Sequence, residues 1–238
     1  MAISLGESAV TAVAFGGQEI QAVSVGAVDV WSARPSYTRR GGDNFNRADG
    51  VVGGQWKTFA DQTWGGVQVR GNAVQWLKSG IGTPDLYQPA IHTAATATTD
   101  AMFARAKLVA APTNYPTGVI IRSNPSLNTG VIALISAGKV QVAQTTGPTS
   151  SSVTLVGATV NRNLAAGDTI TLLANGTRYA LYVNDEPKPI WVWDGPPLAG
   201  NRHAGLYVQG DSSAYSAPLD DFEFGDVTGV VPPAVAKP

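Results

Sequence analysis

The chain has 238 residues, 44% of them apolar and 14% charged, which is enough to fill a core and leaves no sign of wholesale disorder. Sixteen basic residues against seventeen acidic ones give a formal charge of -1 with both signs interspersed, so no basic patch or stripe points to nucleic acid. With no cysteine, disulfides and thiolate metal sites are excluded, and no apolar run approaches the roughly 20 residues that span a bilayer.

The first residues, Met1-Ala-Ile-Ser-Leu-Gly-Glu, lack the basic n-region and apolar h-region of a signal peptide. The expectation is synthesis in a cytoplasm without signal-directed export. Residues 1–33 then repeat with a period of ten: Ala12-Val13 aligns with Ala22-Val23, Phe15-Gly16 with Val25-Gly26, and Glu19 with Asp29. Leu5-Gly6 extends the register one period earlier. An apolar residue followed by Gly and a few small or polar residues reads as a strand end and a hairpin turn. Three short strands or hairpins are predicted, ending at Trp31. Below about 40 residues a domain needs a disulfide, a metal or a partner. The apolar side of residues 1–33 must rest on the remainder of the chain, on sister subunits or on another protein; this small β-hairpin module is read as an assembly module ahead of the competing reading, an appendage packed in cis. A near-neutral charge gives little colloidal repulsion, which suits a homo-oligomer or a larger assembly. Residues 34–42, with Pro35, Arg39-Arg40 and Gly41-Gly42, read as a solvated linker.

Residues 43–227 alternate and are punctuated by turns. Gly66-Val-Gln-Val-Arg-Gly, Ala73-Val-Gln-Trp-Leu, Ala101–Leu108, Gly118–Arg122, Val131–Ile135 and Lys139–Ala143 read as strands. Thr169–Leu173, then Asn175-Gly176, then Arg178–Val183 reads as a hairpin in which Asn-Gly supplies the positive φ of a tight turn. No long helix is expected. Strands at this spacing indicate an all-β, antiparallel two-sheet sandwich or jelly roll. The last residues, 228–238, form a Pro-rich tail.

Asp43-Asn-Phe-Asn-Arg-Ala-Asp-Gly50 followed by Gly53-Gly-Gln-Trp56 resembles the opening of laminin-G-like and concanavalin A-like domains of bacterial and phage proteins. Gly167-Asp-Thr-Ile-Thr-Leu with Tyr182-Val-Asn184 resembles their late hairpin, and Gly205-Leu-Tyr-Val with Leu219–Gly225 resembles their closing strands. The cadence of the first thirty residues is similar to N-terminal segments of minor tail proteins of siphophages of actinobacteria. The resemblance implies a jelly roll whose first and last strands lie side by side, and a virion tail component that assembles in the host cytoplasm. It does not by itself fix function, because this fold hosts lectins, hydrolases and plain spacers.

Candidate sites follow from residue chemistry. Concanavalin-like hydrolases use paired carboxylates, about 5–5.5 Å apart in retaining enzymes. The one candidate pair is Asp221-Phe-Glu223, at i, i+2 on one strand face, and it reads better as a solvated face. His92 and His203 are far apart in sequence with no nucleophile arrangement around them. No catalytic residue is therefore assigned, and the chain is read as non-enzymatic. Asp43, Asp49, Asp220 and Asp221 converge if the terminal strands pair, and their oxygens would suit Ca²⁺. No complete calcium-loop signature is present, and Asp in turns commonly caps local backbone. Glycan binding is the leading alternative function. Trp191-Val-Trp193 sets two indoles on one face of a strand, and Trp64, Trp76 and Tyr87 add flat aromatic surface for sugar rings. The competing reading of each is core packing.

Three functions are thus ranked: a structural tail subunit with other tail proteins as partners through residues 1–33, an adhesin for host cell-wall glycan, and, last, an endoglycanase. Period-2 alternation further predicts that Phe222 and Phe224 enter the sandwich beside Phe45, with Asp221 and Glu223 facing away.

Overall fold

The computed structural model describes residues 13–15, 18–20, 22–25, 28–32, 35–59, 65–78, 86–211 and 214–228, the first four segments by backbone alone. Leu5-Gly6 and residues 229–238 lie outside the described residues. In the head, β1 (Val13–Phe15) pairs with β2 (Gln18–Ile20), and β3 (Ala22–Val25) with β4 (Val28–Ser32), both antiparallel. Each of the two described periods accordingly corresponds to one hairpin.

The remaining strands in chain order are β5 (Ser36–Asp43), β6 (Gly50–Val51), β7 (Trp56–Thr58), β8 (Gly65–Arg70), β9 (Ala73–Lys78), β10 (Leu86–His92) and β11 (Met102–Leu108). They continue with β12 (Thr117–Ser123), β13 (Gly130–Ser136), β14 (Lys139–Thr145), β15 (Val153–Asn161) and β16 (Thr169–Asn175). The series closes with β17 (Arg178–Val183), β18 (Trp191–Asp194), β19 (His203–Gly210) and β20 (Leu219–Thr228). No α-helix occurs among the described residues. A seven-stranded sheet runs β15-β14-β13-β12-β19-β10-β7, and a nine-stranded sheet runs β18-β17-β16-β11-β20-β9-β8-β6 with β5 beside β20. This is the two-sheet antiparallel jelly roll expected from the strand spacing.

Turn chemistry sets the hairpins. Between β8 and β9, Gly71 and Asn72 both take positive φ, the requirement of a type I′ turn, which Gly and Asn meet at little cost. Between β16 and β17, Asn175 pairs with Arg178, so the positive φ falls on Gly176 alone as the first central residue.

The main core lies between the sheets and follows period 2. Val119 and Ile121, Val131, Ala133 and Ile135, and Val140 and Val142 face Met102, Ala104 and Ala106, Ile170 and Leu172, and Phe222 and Phe224. Two smaller apolar layers cover the outer faces: Ile91, Ile120, Ile132, Leu134 and Tyr207 on the seven-stranded sheet, and Phe103, Leu173, Ala180, Tyr182 and Val227 on the other.

The predicted linker is instead a strand. β5 pairs with β20 from Ser36↔Thr228 to Phe222↔Asp43, so the sandwich begins at Ser36, seven residues before the expected boundary. After Pro35, nothing in Ser-Tyr-Thr-Arg-Arg breaks a strand, and the two glycines meet a steric demand. A Cβ on Gly41 would strike the Phe224 ring, and one on Gly42 would strike the Phe222 carbonyl oxygen. The predicted closure of the domain holds: Asp43 sits opposite Phe222, and Phe45, Phe222 and Phe224 are all buried.

Candidate functional site

The site grows from one irregularity in β20. Opposite β11, Arg105 pairs with Glu223 and Lys107 with Asp220, so Ala106 faces two residues of β20, a β-bulge. Asp221 takes φ +48 there. Leu219 and Phe222, three apart, both enter the core, and the Asp221 carboxylate stays exposed. The bulge therefore concentrates acidic side chains beside the cations of β11.

Around it opens a cavity of about 580 Å³ on the outer face of the nine-stranded sheet. Arg39 and Asp43 of β5, Arg105 and Lys107 of β11, Asp185, Asp221 and Glu223 line it. Glu223 is bracketed by two guanidinium groups, through an ion pair with Arg105 Nε and an approach of 3.8 Å from Arg39 Nε. Arg105 also lies 4.0 Å from Asp185. Lys107 and the Asp221 carboxylate line the cavity with no ion pair among the described residues. Burial, with the carboxylates of Asp221 and Asp43 nearby, pushes the Asp220 carboxyl above the usual range.

Asp43 has a different task. Burial alone would raise its pKa, but it is held low by donors. Arg47 bonds both carboxylate oxygens at 2.7 and 2.9 Å, Trp56 Nε1 donates at 2.8 Å, the Phe45 amide at 2.9 Å and Gln55 at 2.6 Å. Asp43 thus fastens the end of β5 to β7. The expected calcium set of Asp43, Asp49, Asp220 and Asp221 does not form. Asp43 is saturated by these donors, Asp49 accepts the Gly71 amide at 2.8 Å, and no metal-competent group of three acids occurs among the described residues. Asp226, at the far end of the β5–β20 pair, is a second fastener. Burial opposes its charge, but Thr98 (Oγ1 2.6 Å, amide 2.7 Å), Arg40 Nε (2.5 Å) and the Thr99 amide (2.9 Å) bring its pKa down to about 2.

The predicted sugar platform is also corrected. Trp191 and Trp193 do share a face, with ring centroids 6.3 Å apart, but that face is the inner one. Trp191 is 5% exposed within the main core, and Trp193 packs against the same core and against Tyr179. Alternation set the pair on one side, and the demand for apolar filling at the β18 edge chose the inside. Trp76 is likewise buried. Tyr87 is half-buried against Tyr207 on the outer face of the seven-stranded sheet. Trp64 lies outside the described residues. His92 and His203, distant in sequence, do meet: His203 Nδ1 lies 3.0 Å from the His92 carbonyl oxygen. The cations of the cavity were missed by sequence reasoning, although the i, i+2 spacing of Arg105 and Lys107 in an otherwise apolar strand was the available signal.

The acids are partitioned between the sheets. No described strand of the seven-stranded sheet contains an Asp or a Glu. The strands of the other sheet carry Asp43, Asp194, Asp220, Asp221, Glu223 and Asp226.

No family model matches the chain, and no curated protein is similar to it. Solved structures share its architecture. SCLam, a non-specific endo-beta-1,3(4)-glucanase from family GH16, is 10% identical with a TM-score of 0.52, over 83% of this chain and 94% of that one. A structure from work on endo-acting O-glycanases that prominent members of the human gut microbiota express to initiate mucin breakdown is 10% identical with a TM-score of 0.53, over 82% of this chain and 100% of that one. The GH43 protein BlXynB from Bacillus licheniformis is 14% identical with a TM-score of 0.51, over 79% of this chain and 39% of that one. At these identities the likeness defines the fold alone, a concanavalin-like jelly roll.

Proposed function

We propose that the protein is a non-hydrolytic jelly-roll subunit of a phage tail, joined to other tail proteins and to sister copies by its head. One observation carries this reading: Ser36 pairs with Thr228, so the chain enters and leaves the sandwich at neighbouring positions, which suits attachment on one side. Among its described residues the head is two hairpins, and 33 residues are too few to hold a core of their own. The non-hydrolytic part draws on the acid partition. Glycosidases of the paired-carboxylate type need two carboxyls flanking the scissile bond. Here the seven-stranded sheet offers none in its described strands, and Glu223 is engaged by two arginines. The test is deletion of residues 1–33. The truncated chain is expected to fold and to be missing from purified particles; normal incorporation refutes the assembly role.

A second reading, recognition of host glycan on the same particle, is favoured by the polar cavity of about 580 Å³, a size typical of small-molecule sites. Binding of an oligosaccharide by the intact chain, without release of new reducing ends, is the outcome this reading expects.

A further inference from the structure

We infer that the outer face of the nine-stranded sheet carries a two-subsite groove for a neutral oligosaccharide of at least two rings; the inference rests on the glycan-recognition reading. Beside the charged cavity lies a second one of about 220 Å³, and the two share Arg105 and Asp185 as a common wall. They form one groove crossing from the β20 bulge toward the β17 end.

The two halves differ in chemistry. The first holds three cations and four carboxylates, but Asp43 is already taken by Arg47, so the rest balance at three against three. A charged ligand would meet as much repulsion as attraction there, and an apolar one would strip these groups of water with nothing in return. A neutral polyol satisfies both signs, since each hydroxyl donates to a carboxylate and accepts from an ammonium or guanidinium group.

The second half is walled by Pro35, Tyr37 and Tyr182. The Tyr37 ring lies 4.7 Å from Phe103, with the Arg105 guanidinium 5.8 Å from its centroid. Tyr182 is only 4% exposed, and its hydroxyl has no hydrogen-bond partner among the described residues. Buried hydroxyls in native proteins are almost always satisfied, so an orphan against a cavity marks the place of a missing partner. The half-buried Tyr37 ring suits the apolar face of a pyranose, and the unsatisfied Tyr182 hydroxyl suits one of its oxygens. The polar cavity takes one ring and the tyrosine cavity the next, with Arg105 and Asp185 at the linkage between them.

The test is amide chemical-shift titration of the full chain with glucose, cellobiose and cellotetraose, and with N-acetylglucosamine and chitobiose. The expected result is shifts at Tyr37, Lys107 and Asp185, with two rings binding at least about 5-fold more tightly than one, the order of a single hydrogen bond. Tyr182→Phe keeps the packing and should remove that gain while leaving one-ring binding unchanged. Lys107→Ala, at an exposed position, should weaken both. Binding whose shifts map instead to Tyr87 and Tyr207 overturns the groove but keeps the glycan reading. No shift with any of these sugars at 10-fold excess over about 1 mM overturns both. Equal affinity for one ring and two, or insensitivity to Tyr182→Phe, overturns the second subsite.

Discussion

Asp226 keeps its charge while nearly buried, because five hydrogen bonds from Thr98, Thr99 and Arg40 converge on its two oxygens. Its folded pKa of about 2 lies below the ordinary 3.8, so the folded state binds this proton more weakly than the unfolded chain. The sign follows: the stabilisation is complete above about pH 4 and is lost as pH falls toward 2, amounting to about 2 kcal/mol. Urea denaturation at pH 7 and pH 2.5 should therefore show a loss of stability that is reduced in Asp226→Asn, a variant already weakened at pH 7. Equal acid sensitivity in both proteins would assign the effect elsewhere. Trp191 makes the complementary case. As a core residue, Trp191→Ala should cost about 3–5 kcal/mol and lower Tm on the order of 10 °C. A change of a degree or two would return the indole to the surface. Sequence alternation correctly put Trp191 and Trp193 on one face but could not say which face, because an edge strand of aromatic residues looks alike inward and outward.

Among the elements, strands with apolar alternation on a core face were legible: β8, β9, β11 to β14 and the β16–β17 hairpin stand where the pattern put them. β5 was not legible, since its side chains run from exposed to half-buried over most of its length and only Asp43 is buried. Its place is set by main-chain pairing with β20 and by two glycines that permit close approach, neither of which leaves a hydrophobic period. This yields a sharp truncation test. A chain beginning at residue 35 should melt cooperatively. One beginning at residue 44 loses a paired strand, exposes the β20 edge and leaves Asp226 without Arg40 and Trp56 without Asp43. It should aggregate or melt far lower, as unpaired edges do. Equal melting of the two chains would mean that β5 is ornamental.

At the scale of the molecule, the head and the sandwich should be separable in stability but not in function. The sandwich has its own core between two sheets, so deletion of residues 1–33 should leave Tm nearly unchanged, while the proposed tail role expects particle incorporation to be lost. The fold was readable because jelly-roll order leaves regular strand and turn signals. The groove was not, because its walls come from β5, β11, β17 and β20, which sit together only after the sheet has closed. Charges scattered at positions 39, 105, 185 and 223 carry no local motif.

The pairing of β5 with β20 also has a consequence in time. β5 leaves the ribosome before any other strand of the sandwich, and its partner leaves after all of them. Nearly the whole chain between Asp43 and Phe222 must be made before the first of these bonds can form, so closure is late and slow in the way of any long-range pairing. In the interval β5 is a lone strand with a free edge on either side. Its Arg39-Arg40 pair and two glycines are poor material for a stray partner, since charge and low β propensity discourage edge-to-edge pairing. A nascent chain therefore carries its head on a strand that is still unpaired, and only a completed sandwich fixes that strand from Ser36 onward.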